Sequence, residues 1–272
     1  MNALQAILVS LIYGFTEFSS LSGSGHLVLL QSLLKLNDYE GFSAFAVFVR
    51  LGAFLAVLFV FWKDIKGIFL DVPSVFKANA KSKPSPYQKL LFLLLVMCLP
   101  LAASLFLYEF VQSVFSTSAF IGIALIATGV MIIFANHANR GRKLAVDTSY
   151  INALTIGVFQ VLALFPGVSR VATSIFACTM SGVNRRFAIK ISMLMTIFTI
   201  PVVCLMNLPQ IGLSFKALTL SPIVCVLSVF VSFAMSVLAI KMLESLLAKG
   251  KYIFLALYCF VVGIITTAIY LL

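Results

Sequence analysis

Apolar residues fall along this chain in six long blocks, with polar positions gathered between them. Each block is close to the roughly 20 residues an α-helix needs to cross a bilayer. Residues 42–62, 90–107, 119–135, 187–206, 221–240 and 252–272 are therefore predicted to be full spans. Two further apolar segments are interrupted. Residues 2–18 and 27–36 flank a polar bend, and the second arm is too short to span. Residues 151–182 are broken around Pro166-Gly167. Backbone that leaves the helix at membrane depth is tolerated only where protein or water lines it, so both segments are predicted to be re-entrant helical hairpins. Residues 63–89 hold Lys63, Lys66, Lys77, Lys81, Lys83 and Lys89 with Pro84 and Pro86, and are predicted to be a polar loop.

The two interrupted segments align without gaps. Tyr13 meets Gln160, Phe18 meets Phe165, Ser22 meets Ser169, and His26 meets Thr173. Each segment precedes three spans, and paired interrupted segments in corresponding halves mark the binding site of transporter-like folds. Loop charge sets the orientation. The lysine-rich stretch after Trp62, the Arg140–Lys143 loop, Arg185–Arg186 and residues 241–251 are expected on the cytoplasmic side. Residues 109–118, which carry no cation, and the sparsely charged 207–220 are expected outside, as are both termini. Three spans per half is an odd number, so the halves run in opposite directions. The expected architecture is an all-α polytopic membrane protein forming one integral membrane domain over residues 1–272. Its inverted repeats cover 1–135 and 136–272, each a re-entrant hairpin plus three transmembrane helices.

Composition agrees. The chain is 62% hydrophobic and only 10% charged, which leaves no room for a separate soluble domain. The first segment lacks a basic start and runs straight into the polar bend, unlike a cleavable signal peptide. The net charge of +11 lies mostly in loops, so it speaks for membrane lipids and against nucleic acid as a partner. The five cysteines sit inside apolar segments without metal-ligand spacing and read as buried small hydrophobes.

The first bend, Tyr13 to His26, carries a carboxylate (Glu17), four serines, three glycines and an imidazole. Ionisable groups at membrane depth are costly and point to function. If the bends meet near the midplane, Glu17, Ser22, Ser24, Gly25, His26, Ser169, Arg170 and Thr173 come together. Pro166-Gly167 ends one half-helix and Ser169 can cap the next. A half-helix N-terminus suits an anion, and the Arg170 guanidinium matches phosphate oxygens. His26 can act as nucleophile or proton shuttle. Glu17 can assist it, or hold a divalent cation (Mg or Ca) beside the phosphate. Blander readings stand beside these: Glu17 as a structural ion pair with Arg50 or Arg170, Lys190 snorkelling to the surface, Arg50 buried, His137 solvated.

TEF with S-x-S-G-H in the first bend and PGVSR in the second resembles the undecaprenyl-diphosphate phosphatase family of bacitracin-resistance type. The resemblance spans nearly the whole chain, including FAVFVRLGAFLAVLFVFW at residues 45–62. It implies hydrolysis of a polyprenyl diphosphate lipid to the monophosphate and phosphate, in recycling of the cell-wall lipid carrier. The implied place is the bacterial cell membrane, with the active site opening outward. Glu17, His26 and Arg170 match family active-site positions, and Ser22, Ser24 and Ser169 match family polar positions. The phosphate-binding set is expected to be Ser22, Ser24, Gly25, Ser169, Thr173 and Arg50. The chain departs from the family where a glutamate is replaced by Tyr13 and a serine by Gly23. Val171-Ala172 stands in place of Ser-Gly. Ala46 and Lys190 stand where glutamates are usual, and Arg50 where glutamine is usual. Carboxylates are lost and cations gained. The alternative function is a non-catalytic or weakly active relative that binds or flips a polyprenyl phosphate. A small-ion channel is disfavoured because the motif holds an anion. A homo-oligomer is left open.

Overall fold

The computed structural model describes residues 1–77, 84–138 and 141–271; Lys81, Lys83, Arg140 and Leu272 lie outside the described residues. The described chain is helical, and its one β feature is an isolated bridge between Lys143 and Val183. Among the described residues, six helical stretches are long and apolar enough to cross a membrane. They are α3 (Phe42–Val60), the run Pro86–Phe115, α7 (Ser118–His137), α10 (Arg185–Met206), α12 (Pro222–Ala248) and α13 (Ile253–Leu271). The run Pro86–Phe115 comprises α5 (Pro86–Ser104), a 3-10 turn at Leu105–Leu107 and α6 (Tyr108–Phe115). The two interrupted segments are hairpins of short helices: α1 (Ala3–Phe18) with α2 (Gly23–Leu33), and α8 (Tyr150–Val161) with α9 (Arg170–Met180).

Three segments differ from expectation. The stretch after Trp62 begins as a helix, α4 (Trp62–Lys77), and not as a loop. Ile65 and Ile68 fall at helical spacing and pack on the core, which outweighs Lys66 between them. Pro86 does not break a helix but starts one. It occupies the first turn of α5, where its missing N–H is no loss, and Ser85 and Gln88 close a capping box. The outer segments 109–118 and 207–220 also carry helices, α6 and α11 (Leu208–Lys216). The last two spans are shifted by less, although α12 continues past Ile240 to Ala248.

Helix α1 packs along α12, α12 along α3, α5 along α8, and α7 along α13. Ser228, Ser232 and Ser236 form a buried stripe at helical spacing on α12. Ser232 donates to the Val49 carbonyl of α3 at 2.7 Å, and Ser236 to the Gly14 carbonyl of α1 at 3.0 Å. With no apolar driving force between helices in lipid, small residues and such bonds fix the packing. These two bonds fall beside Arg50 and Tyr13, so α12 sets the spacing of the helices that bear them.

Candidate active site

Each hairpin turns on a serine cap. In the first bend, Ser20 (φ 68°) and Ser22 (φ 67°) both adopt the left-handed region, which is costly for residues with a Cβ. Ser22 accepts a bond from the Gly25 amide at 3.3 Å and starts α2. In the second bend the left-handed position falls to Gly167 (φ 97°), where no Cβ resists it. Ser169 then accepts from the Ala172 amide at 3.3 Å and starts α9. Thr128 of α7 braces this bend: its hydroxyl donates to the Gly167 carbonyl at 3.1 Å and accepts from the Ser169 amide at 3.0 Å. The bends touch. The Ser22 hydroxyl lies 3.4 Å from the Val168 carbonyl, and a Cβ on Gly25 would sit 2.7 Å from the Gly167 Cα.

A cavity of about 930 Å³, counting its open mouth, lies at this junction. Its polar end takes Tyr13, Glu17, Ser22, Gly23 and Ser24 from the first hairpin, and Gln160, Ser169 and Arg170 from the second. Arg50 comes from α3 and Thr199 from α10. Its other end is apolar, with Leu101, Leu105, Leu164, Val202, Val203 and Met206. A charged end and an apolar end in one cavity suit an amphipathic ligand.

Arg170 organises the polar end. One Nη donates to Glu17 Oε1 at 2.8 Å and the other to the Thr199 hydroxyl, while Nε is buried without a protein partner. Glu17 also lies within electrostatic reach of Arg50 and of the Tyr13 phenol, one helical turn away. A Cβ on Gly23 would collide with the Glu17 carboxylate and Cα, so the carboxylate occupies the room that a side chain at position 23 needs. Glu17 is the one acidic side chain in the lining, facing two guanidiniums. Among the described residues no three of His, Cys, Asp and Glu gather where a metal ion would sit.

Not every expected residue reaches the cavity. Thr173 and Gly25 are buried outside the lining, Thr173 donating to the Arg170 carbonyl at 2.8 Å. His26 is buried on the far side of the bend. Its Nδ1 lies 2.9 Å from the Ser22 carbonyl and its Nε2 2.9 Å from the Tyr258 hydroxyl of α13. A carbonyl only accepts, so Nδ1 carries the proton and, in the neutral ring, Nε2 accepts from Tyr258. Lys190 is far from the lining and pairs with Asp64 at 2.8 Å. His137 is exposed at the end of α7. The cysteines are free, with Cys178, Cys225 and Cys259 buried.

Thr199, Thr128 and Tyr258 had no signature in the sequence. Hydroxyls inside apolar spans usually bond their own helix, as Thr267 of α13 does to the Gly263 carbonyl at 2.8 Å. Gln160 stood out only as the partner of Tyr13 in the alignment; both line the cavity.

Comparison with known proteins places this geometry. The family model described as bacitracin resistance protein BacA matches residues 6–265. The undecaprenyl-diphosphatase of Methanococcus vannielii is 31% identical over 262 residues, covering 96% of this chain and 98% of the relative. That of Enterococcus faecalis is 32% identical over 277 residues, covering 99% and 97%. That of Korarchaeum cryptofilum is 32% identical over 269 residues, covering 97% and 98%. A match of this extent, carried by a chain whose two bends form one charged cavity, means that the chain belongs to the bacitracin resistance protein BacA family.

Proposed function

We propose that this chain is a membrane phosphatase that hydrolyses undecaprenyl diphosphate to the monophosphate and phosphate. The observation that carries the reading is the cavity itself: Glu17 and Arg170, from opposite halves of the chain, pair at 2.8 Å between two helix N-termini. The relatives' shared name supplies the substrate and favours hydrolysis over binding or flipping alone. The diphosphate lies at the polar end. Arg170, Arg50, the Ser22, Ser24 and Ser169 hydroxyls and the amides opening α2 and α9 hold its oxygens. The polyprenyl tail follows the apolar end along α5 and α10.

Water attacks the terminal phosphorus in line. The new P–O bond forms as the bridging P–O bond breaks, and the lipid monophosphate leaves with its negative charge. Glu17 accepts the proton of the attacking water as the substrate draws Arg170 away from it. Arg170 stabilises charge on the transferring phosphoryl group. Thr199 holds the guanidinium in place. His26 supports the chemistry through the bend it fixes, between the Ser22 carbonyl and Tyr258.

The orientation belongs to the same proposal. The halves 1–135 and 136–272 are related as inverted repeats, with the loops around Lys63 and Arg185 cytoplasmic. Supporting this, both aligned serines are N-caps, and α1 packs on α12 as α8 packs on α5. The apolar lining reaches Leu105, Tyr108 and Met206, beside the cation-poor segments, which favours a cavity opening outward from the cell membrane. The test is phosphate release from undecaprenyl diphosphate by the purified protein. Turnover by the wild type and a loss of about 100-fold or more in Glu17→Gln are expected, in the range of general-base contributions. Equal rates for the two would remove Glu17 from the chemistry.

A further inference from the structure

Phosphoryl transfer from a diphosphate needs its negative charge neutralised, and a divalent ion held by carboxylates is the common means. The residues present here do not fit that arrangement. Glu17 is the one acidic residue lining the cavity, and one of its oxygens is bonded to Arg170. Calcium takes six to eight oxygen ligands and magnesium six in near-octahedral geometry, with carboxylates supplying the protein's charge. One helical turn before Glu17, where a second carboxylate would share its face, the chain carries Tyr13, buried to 3% exposure. Opposite stands Arg50, in the same lining and within electrostatic reach of both Tyr13 and Glu17. Two guanidiniums against one carboxylate leave the polar end net positive before any ligand arrives. A cation brought into that field meets repulsion, whereas a diphosphate meets attraction.

We infer that in this chain Arg50 replaces the divalent cation: with Arg170 it forms a guanidinium pair that binds the diphosphate without metal. The geometry explains the residue types together. A guanidinium at position 50 beside a carboxylate pair at 13 and 17 would be tied up by ion pairing. Tyr13 keeps a polar group against Glu17 while leaving Arg50 its charge for the ligand. Arg170 has one Nη bonded to Glu17, the other to Thr199, and a buried Nε without a protein partner, so a second guanidinium adds a second fork for a ligand that carries two phosphates. A planar fork also gives bidentate bonds to phosphate oxygens that a hydrated ion does not orient.

This inference rests on the diphosphate reading but is tested apart from turnover. The probe is farnesyl methylenediphosphonate, which keeps both phosphorus groups and cannot be hydrolysed between them. Its binding to purified protein is measured calorimetrically in EDTA and in excess magnesium or calcium. Wild-type affinity is expected to differ by less than about threefold between the conditions. Arg50→Gln is expected to weaken binding in EDTA by about tenfold or more, the size of one charge-assisted bond. Arg50→Lys, which retains the charge, is expected to recover part of that loss and shows that the site still folds. Wild-type binding that collapses in EDTA and returns with metal overturns the inference, as does Arg50→Gln binding as tightly as wild type in EDTA. Metal-free, Arg50-dependent binding with no hydrolysis of undecaprenyl diphosphate supports the guanidinium pair and refutes the phosphatase reading instead.

Discussion

The two bends share a cap and divide the work. Ser22 and Ser169 each open a short helix by accepting the amide three residues on, at 3.3 Å in both. Beyond the cap the two diverge. In the second bend the first helical residue is Arg170, and Gly167 takes the left-handed backbone without strain. In the first, the first helical residue is Gly23, and the left-handed positions are borne by Ser20 and Ser22. The second bend thus contributes charge from a relaxed backbone. The first contributes space, kept open at Gly23 for a carboxylate that arrives from the preceding helix. The difference teaches that a helix N-terminus is a scaffold whose chemistry depends on the side chains around it.

The largest effect should come from removing the charge of the second bend. Arg170→Ala leaves Glu17 without its bonded partner in a part-buried site, the loss of a charge-assisted bond that costs about 1.5–3 kcal/mol. Loss of hydrolysis and a lower unfolding temperature in detergent are expected together. Activity and stability within twofold and a degree of wild type would mean that the second bend is not the charge-bearing one. A smaller effect should come from filling the space of the first bend. Gly23→Ser adds a hydroxyl to the bend, but its Cβ must displace Glu17 from its seat. Overpacking of this kind costs about 1–3 kcal/mol, and spent on moving Glu17 it should lower kcat/KM by roughly 5- to 150-fold. A gain in kcat would show that Glu17 has a second productive position. The smallest effect concerns strain. Ser20→Gly relieves a left-handed residue that is not itself part of the cavity lining. Stability should rise by no more than about 1 kcal/mol, or roughly 2–4 °C, with activity unchanged. A drop in unfolding temperature would indicate that the Ser20 side chain itself holds the bend.

Local physics made much of this protein legible from residues alone. Block length predicts the six spans, because crossing a bilayer demands a helix of that length. Ser169, following Pro166-Gly167 and preceding an apolar run, predicts a cap, because the free amides lie within reach of its own oxygen. The low-identity alignment sets Ser22 opposite Ser169, and the structure shows both to be caps. Where local signals competed, the reading failed: lysines and prolines after Trp62 suggested a loop, while the apolar spacing beneath them builds α4 and a capping box builds α5. Other features depended on contacts that no spacing encodes. Glu17 and Arg170 are 153 residues apart, and only the meeting of the hairpins makes them a pair. Arg50 and Lys190 were alike as cations inside apolar blocks. Packing of α3 against α12 turns Arg50 into the cavity, whereas Asp64 holds Lys190 away from it. His26 obeys the same rule. Its place one turn into α2 is set by the chain, but the side it faces is set by α13, where Tyr258 supplies the partner its buried ring nitrogen requires.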